Sequence, residues 1–281
     1  MTKTTKKTIK IVSVCLAALL AACIILALVA ILPQLRKKGT RYDDTVQFNN
    51  GAVQMIAHRG LSGLALENSV AAFEEAGKRS YFGIEADVHV TKDGKFIITH
   101  DNTLARIAEM DLTIADCTYE ELRGLRFKDV YGESEEKECF LPSLEEYILV
   151  CKQYDKQAIL ELKNEMPAEK AQDIARQVEA LGWLDRTTFI SFAKNNLIAV
   201  REMYPNAAAQ YLVQNVKSED IDFMIENKID GSFCWIALTP SRVRRLHNAG
   251  LKAGVWTVDG TLMAWWAKTC GVDYITTNIL E

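Results

Sequence analysis

The chain has 281 residues, a hydrophobic share of 49% and a formal net charge of −4. That is ample apolar material for one barrel-sized core, while the concentrated positive charge that a nucleic-acid partner demands is absent. Seven cysteines at wide spacing, with no CxxC pair, fit neither a disulfide framework nor a zinc site, and are read as packing residues.

Residues 1–10 form a short basic tail, followed from Ile11 to Leu32 by a run without a charged residue. As a helix this run is about 30 Å long, the thickness of a bilayer's hydrocarbon core, so it is expected to be a single transmembrane helix. Lys3, Lys6, Lys7 and Lys10 precede it and Arg36, Lys37, Lys38 and Arg41 follow it, a near tie in positive charge. The short tail is expected to stay cytoplasmic, which puts the rest of the chain on the extracytoplasmic side of the cell membrane. Two rival readings are a cleaved signal peptide and a lipoprotein site at Leu20-Ala21-Ala22-Cys23; the apolar run continues past Cys23, against both. Residues 33–50 read as a polar linker, and a catalytic domain is expected over 51–281.

From there, short apolar or β-branched runs alternate with amphipathic ones, the pattern of βα units around a parallel sheet. Strands are predicted at Val53–Ala57, Gly83–Val90, Ala158–Leu162, Thr188–Ser191, Ala208–Val213, Gly231–Trp235, Ala253–Val258 and Asp273–Thr276. Helices are predicted at Asn68–Arg79, Pro167–Leu181, Ser218–Asn227 and Thr239–Ala249, the last stopped by Gly250. The fold class is therefore α/β, a TIM-type (β/α)8 barrel.

Two irregularities stand out. Thr91-Lys92-Asp93-Gly94 after the second strand is a hairpin signal, so Phe96–Thr99 should return antiparallel. With the turn centred between Lys92 and Asp93, Glu85 would face His100. Residues 102–141 then fit no strand and read as an insertion over the active-site face, with a short helix near Thr118–Leu125. The last barrel helix is missing, because little sequence follows the eighth strand.

Three clusters lie at the carboxyl ends of predicted strands, the face on which such barrels carry their chemistry. They are His58-Arg59-Gly60, Glu85-Ala86-Asp87 with His100-Asp101 on the returning arm, and Glu161-Leu162-Lys163. Glu85 and Asp87 project from one strand face and repel each other unless a cation sits between them; Glu161 adds a third oxygen ligand. That donor set suits one divalent metal ion, Mg²⁺ or Ca²⁺. Arg59 and Lys163 supply positive charge for a phosphodiester, and two histidines can serve as base or nucleophile and as acid. His89 shares the face of Glu85 and Asp87 but is expected to be solvent-exposed beyond the barrel mouth. His247 suits a helix end, and Trp265-Trp266 the core or the barrel surface.

Taken with Glu67-Asn68-Ser69, Lys92-Asp93-Gly94, Leu141-Pro142-Ser143-Leu144 and Trp256-Thr257-Val258, these clusters resemble the glycerophosphodiester phosphodiesterase family over roughly residues 53–279. The resemblance implies a TIM barrel with an insertion after its second strand and a divalent metal. It makes His58 and His100 the catalytic pair, Glu85, Asp87 and Glu161 the metal ligands, and Arg59 and Lys163 the phosphate contacts. Glu67 becomes a supporting acidic residue at the site and Trp256 a wall of the substrate pocket. The sequence departs from the family pattern at Ser69 and Ile107, where threonine is usual, and at Asp259 and Asn278, where asparagine and aspartate are commoner.

The expected reaction is hydrolysis of a glycerophosphodiester to sn-glycerol 3-phosphate and an alcohol. A lipid-directed enzyme of lysophospholipase D type is the nearest alternative, disfavoured by the charged run Glu133-Ser134-Glu135-Glu136-Lys137-Glu138. A non-catalytic anchored module that binds phosphodiesters is the alternative from another class. The expected partners are the substrate and, through the N-terminal helix, the bilayer; no protein partner is implied.

Overall fold

The computed structural model describes residues 42–128 and 138–281, with a scatter of residues between 12 and 28. Among the described residues no helix is long and apolar enough to cross a membrane. The transmembrane helix expected at 11–32 lies largely outside the described residues, as do Cys23 and most of the acidic run at 133–138. Those of its residues that are described are helical and exposed, and belong to a unit separate from the barrel.

Eight parallel strands close on themselves: β1 (Gln54–Ala57), β2 (Gly83–Val90), β6 (Gln157–Leu162), β7 (Thr187–Ser191), β8 (Ala208–Val213), β9 (Asp230–Cys234), β10 (Ala253–Trp256) and β11 (Tyr274–Thr277). Pairing of β1 with both β2 and β11 completes the barrel. Each predicted strand is present, with ends within two residues of those expected. The connecting helices are α1 (Val70–Gly77), α4 (Leu144–Gln153), α5 (Ala168–Ala180), α6 (Lys194–Met203), α7 (Ser218–Asn227), α8 (Pro240–Asn248) and α9 (Thr261–Cys270).

The two-residue period of the strands sorts their side chains. Ile56, Ile159, Ile190 and Leu212 point inward and meet as a small core inside the barrel. Their alternates, such as Ala57, Ile84, Leu160 and Phe189, join the large core between sheet and helices. Above the inner layer, His58 after β1, Glu85 and Asp87 on β2 and Glu161 on β6 take the place of apolar side chains, and that change makes the floor of the site.

The hairpin is present, but one residue out of the expected register. The short strand β3 (Phe96–Ile98) pairs so that Val88 faces Ile98 and Val90 faces Phe96, which centres the turn on Asp93. The amide of Thr91 donates to Lys95 and that of Gly94 to Thr91, a loop longer than the two-residue turn assumed from the sequence.

The insertion is more ordered than expected. It holds α2 (Ala105–Ala108), α3 (Tyr119–Gly124) with a Thr118–Glu121 capping box, and a two-stranded ladder of β4 (Phe127–Lys128) and β5 (Glu138–Cys139), where no strand was foreseen. Ile97, Leu104, Ile107, Ile114, Leu122, Phe127 and Leu141 give it a hydrophobic cluster of its own.

No helix follows β11 within residues 278–281. That side of the barrel is covered by chain from both directions. Tyr42 donates to Gly63, Val46 to Ile279 and Phe48 to Glu281 through backbone amides, and Glu281 reaches Ser80 beyond the far end of α1. Residues 42–48 of the expected linker are thus built into the barrel wall.

Candidate active site

The site is assembled from the strand ends inward. Arg59 and Gly60 follow β1 in the left-handed region, at φ 55° and 71°. This tight turn lets the Arg59 amide donate to Glu85 Oε2 at 2.7 Å and the Gly60 amide to the Glu85 carbonyl at 2.9 Å. Gly60 has no alternative: a Cβ there would lie 2.6 Å from the backbone of Ala72 in α1. Asn68, also left-handed at φ 52°, donates from Nδ2 to Asp87 Oδ2 at 2.7 Å. Ser69 then caps α1, its hydroxyl accepting from the Ala72 amide.

Glu85 and Asp87 share the inner face of β2, and Asp87 lies directly opposite Glu161 of β6. One oxygen from each of the three carboxylates lies within 4.8 Å of the others, and all three residues are buried. Glu85 Oε1 and Asp87 Oδ1 are buried without a hydrogen-bond partner from the protein. Burial, then Asp87 and Glu161, pushes the Glu85 carboxyl well up; burial and Asp87 push Glu161 up to about 7. Asp87 goes the other way: burial opposes its charge, but Lys163, Arg59 and the Asn68 amide outweigh it. Orphaned carboxylate oxygens converging on one point fit a hard divalent cation. Lys163 stands at its edge, with Nζ 2.8 Å from Glu161 Oε1 and 3.5 Å from Asp87 Oδ1.

The two histidines are each held by a side chain at Nδ1. His58 Nδ1 lies 2.7 Å from Asn278 Oδ1, and His100 Nδ1 lies 2.7 Å from Asp101 Oδ1. Each imidazole therefore spends Nδ1 on the protein and keeps Nε2 for a ligand. Burial, followed by Arg59, lowers His58 to about 3 and His100 to about 4, so both are neutral near pH 7.

Glu67 is not one of the three clustered carboxylates and is held instead by two arginines. It accepts from Arg59 Nη1 at 2.8 Å and from both terminal nitrogens of Arg106 at 2.7 and 2.6 Å. Arg106 also donates from Nε to Asp101 at 2.6 Å, tying the His100 side of the site to Arg59. Sequence reasoning missed Arg106, because nothing in its spacing shows that the insertion folds α2 back over Glu67. It likewise gave no role to Asn278 and Asp259, which lie against each other beside His58, with Asn278 Nδ2 donating to Asp259 Oδ2 at 2.6 Å.

Trp256 packs on the inner core at the end of β10, its ring edge-on to Phe192 at 5.4 Å between centroids. His89 corrects an expectation. It is buried, with Nε2 3.1 Å from the His100 carbonyl, because the insertion covers the hairpin that was expected to stand in solvent. His247 pairs with Asp273 at 2.9 Å, and Trp265 and Trp266 lie on the exposed barrel surface.

The sequence pattern of the glycerophosphoryl diester phosphodiesterase family matches residues 58–281, the whole of this site and most of the chain. The chain belongs to that family. It is accordingly an enzyme of the phosphoric diester hydrolase class. Among its family relatives, a glycerophosphodiester phosphodiesterase of Bacillus altitudinis is 33% identical over 58% of this chain and 67% of its own. The crystal structure of a glycerophosphodiester phosphodiesterase from Parabacteroides distasonis superposes with a TM-score of 0.69 at 29% identity, covering 81% of this chain and 93% of that one. A phosphodiesterase from Oleispira antarctica, solved with the product sn-glycerol 3-phosphate, superposes at 0.72 with 25% identity, covering 83% and 96%.

Proposed function

We propose that this family member hydrolyses glycerophosphodiesters to sn-glycerol 3-phosphate and an alcohol, in a metal-dependent reaction that uses His58 and His100. The proposal rests above all on two imidazoles whose Nδ1 atoms are engaged by the protein while Nε2 remains for substrate, flanking a buried carboxylate triad.

Glu85, Asp87 and Glu161 would hold one Mg²⁺ or Ca²⁺, which would supply positive charge to the bound phosphodiester. Arg59 and Lys163 orient the phosphodiester and offset the charge that develops on it. The histidines divide their work by what stands behind them. His100, neutral in the free site, is backed by the Asp101 carboxylate, which together with the bound phosphodiester anion would favour its protonation, so it is assigned to protonate the leaving alkoxide. His58 is backed by a neutral amide and stays unprotonated, so its Nε2 takes the proton of the attacking hydroxyl or attacks phosphorus itself. Trp256 bounds the pocket, and Glu67 keeps Arg59 in position. The test is a His58→Ala, His100→Ala double variant; retention of wild-type release of glycerol 3-phosphate would refute this division of labour.

One observation favours a lipid-directed variant of the same reaction. Beside Trp256 the barrel mouth carries Phe192 and Ile236, 45% and 74% exposed, an apolar rim open to an acyl chain. Faster turnover of lysophosphatidylcholine than of glycerophosphocholine, lost in Phe192→Ser with Ile236→Ser, would select that substrate class.

The proposed setting is the cell membrane, with the apolar run at 11–32 as a single-pass anchor and the barrel on the extracytoplasmic side. The uncharged length of that run and the exposure of Leu16, Leu19, Leu20 and Ile25 support this. Protease treatment of intact cells should degrade the barrel; protection until lysis would reverse the orientation, and recovery in the soluble fraction would remove the anchor.

A further inference from the structure

We propose that Asn278 and Asp259 act as one positioning unit, which sets the tautomer of His58 and so decides which of its nitrogens meets the substrate. The inference builds on the role of His58 proposed above.

The hydrogen bonds leave little choice. Asp259 is acceptor-only when ionised, and among its contacts are three donors from one short stretch of chain. These are the Asn278 amide at 2.7 Å and the Thr277 hydroxyl at 3.1 Å, both on Oδ1, and Asn278 Nδ2 at 2.6 Å on Oδ2. A carboxylate fixes which end of the Asn278 side chain faces it: only the NH₂ can donate. The opposite end, Oδ1, must then face His58, where the Ser62 hydroxyl also donates to it at 2.7 Å. With an acceptor 2.7 Å from its Nδ1, His58 carries its proton there, and Nε2 presents a lone pair. Asp259, acting through Asn278, thereby selects the form of imidazole that can act as a base.

The same bookkeeping of donors yields a sharp test. In Asp259→Asn the new side chain can still accept from the Asn278 amide and Thr277 through its oxygen, but its NH₂ then opposes the NH₂ of Asn278. Asn278 must turn over, present its NH₂ to His58 and force the proton onto Nε2. Adding Asn278→Asp restores an acceptor at His58 and a donor–acceptor match between positions 259 and 278.

The experiment uses the full chain in detergent. Long-range ¹H–¹⁵N spectra report the tautomer of each histidine, with the His58 signals assigned by their loss in His58→Ala, and kcat and KM are measured for the same proteins. The expected result for Asp259→Asn is a shift of His58 to the Nε2–H form and a kcat loss of about 100-fold with KM changed less than about threefold. The double exchange should recover the Nδ1–H form and most of kcat. An unchanged tautomer in Asp259→Asn would overturn the proposal, whatever the activity, as would a double exchange that leaves the proton on Nε2. Full activity of His58→Ala would instead remove the base assigned above, while the spectra would still decide whether the pair sets the tautomer.

Discussion

Arg106 grips Glu67 with both terminal nitrogens, at 2.7 and 2.6 Å, and so joins the insertion to the turn that follows β1. Its Nε, on Asp101, links that grip to His100. A planar fork serves both carboxylates with directed N–H groups on three separate nitrogens, a spread that the single nitrogen of an ammonium does not reproduce. Arg106→Lys should therefore cost about 2 kcal/mol of stability in urea titration and about tenfold in kcat/KM. Unchanged values of both would mean that the fork is incidental.

Gly60 should tolerate no side chain. An added Cβ meets the Ala72 backbone at 2.6 Å, and the residue stands at φ 71°. Gly60→Ala would push α1 from the barrel and with it Asn68, the partner of Asp87. Thermal unfolding should reveal a loss of about 3 kcal/mol or more. A fully stable variant would show that the turn has slack.

The carboxylate triad makes cation binding pH-dependent. Glu161, raised to about 7 by burial and Asp87, holds a proton below that pH which its unfolded counterpart has already lost. A cation must displace this proton and the one held by the raised Glu85 carboxyl, so affinity should climb by about tenfold per unit or more as pH rises through 7. Calorimetric titration of the metal-free protein with Mg²⁺ at pH 6, 7 and 8 should show the climb, with proton release at the lower pH. Equal affinity throughout would contradict the assigned ligand set.

The barrel was legible because alternation of short apolar runs with amphipathic ones is a local signal, written within each strand and helix. The triad was legible for a similar reason: Glu85 and Asp87 share a strand face by the two-residue period, and Glu161 ends the neighbouring strand. The hairpin register was not, since it depends on whether Gly94 extends the loop, and one residue of slip changes every pair. His89 was misread because its burial comes from the insertion, whose packing around Ile97 no local pattern announces. Arg106 drew no role, and Asn278 and Asp259 stood out only as departures from the family pattern, for each acts across a long stretch of chain.

The most direct test of the central claim is release of glycerol 3-phosphate from glycerophosphocholine by the detergent-solubilised full chain, before and after EDTA and after readdition of Mg²⁺ or Ca²⁺. The account predicts release that EDTA abolishes and the cation restores, and that Glu85→Gln removes. Release that survives EDTA would contradict metal dependence; no glycerol 3-phosphate from this diester and no choline from lysophosphatidylcholine would contradict the proposed reaction.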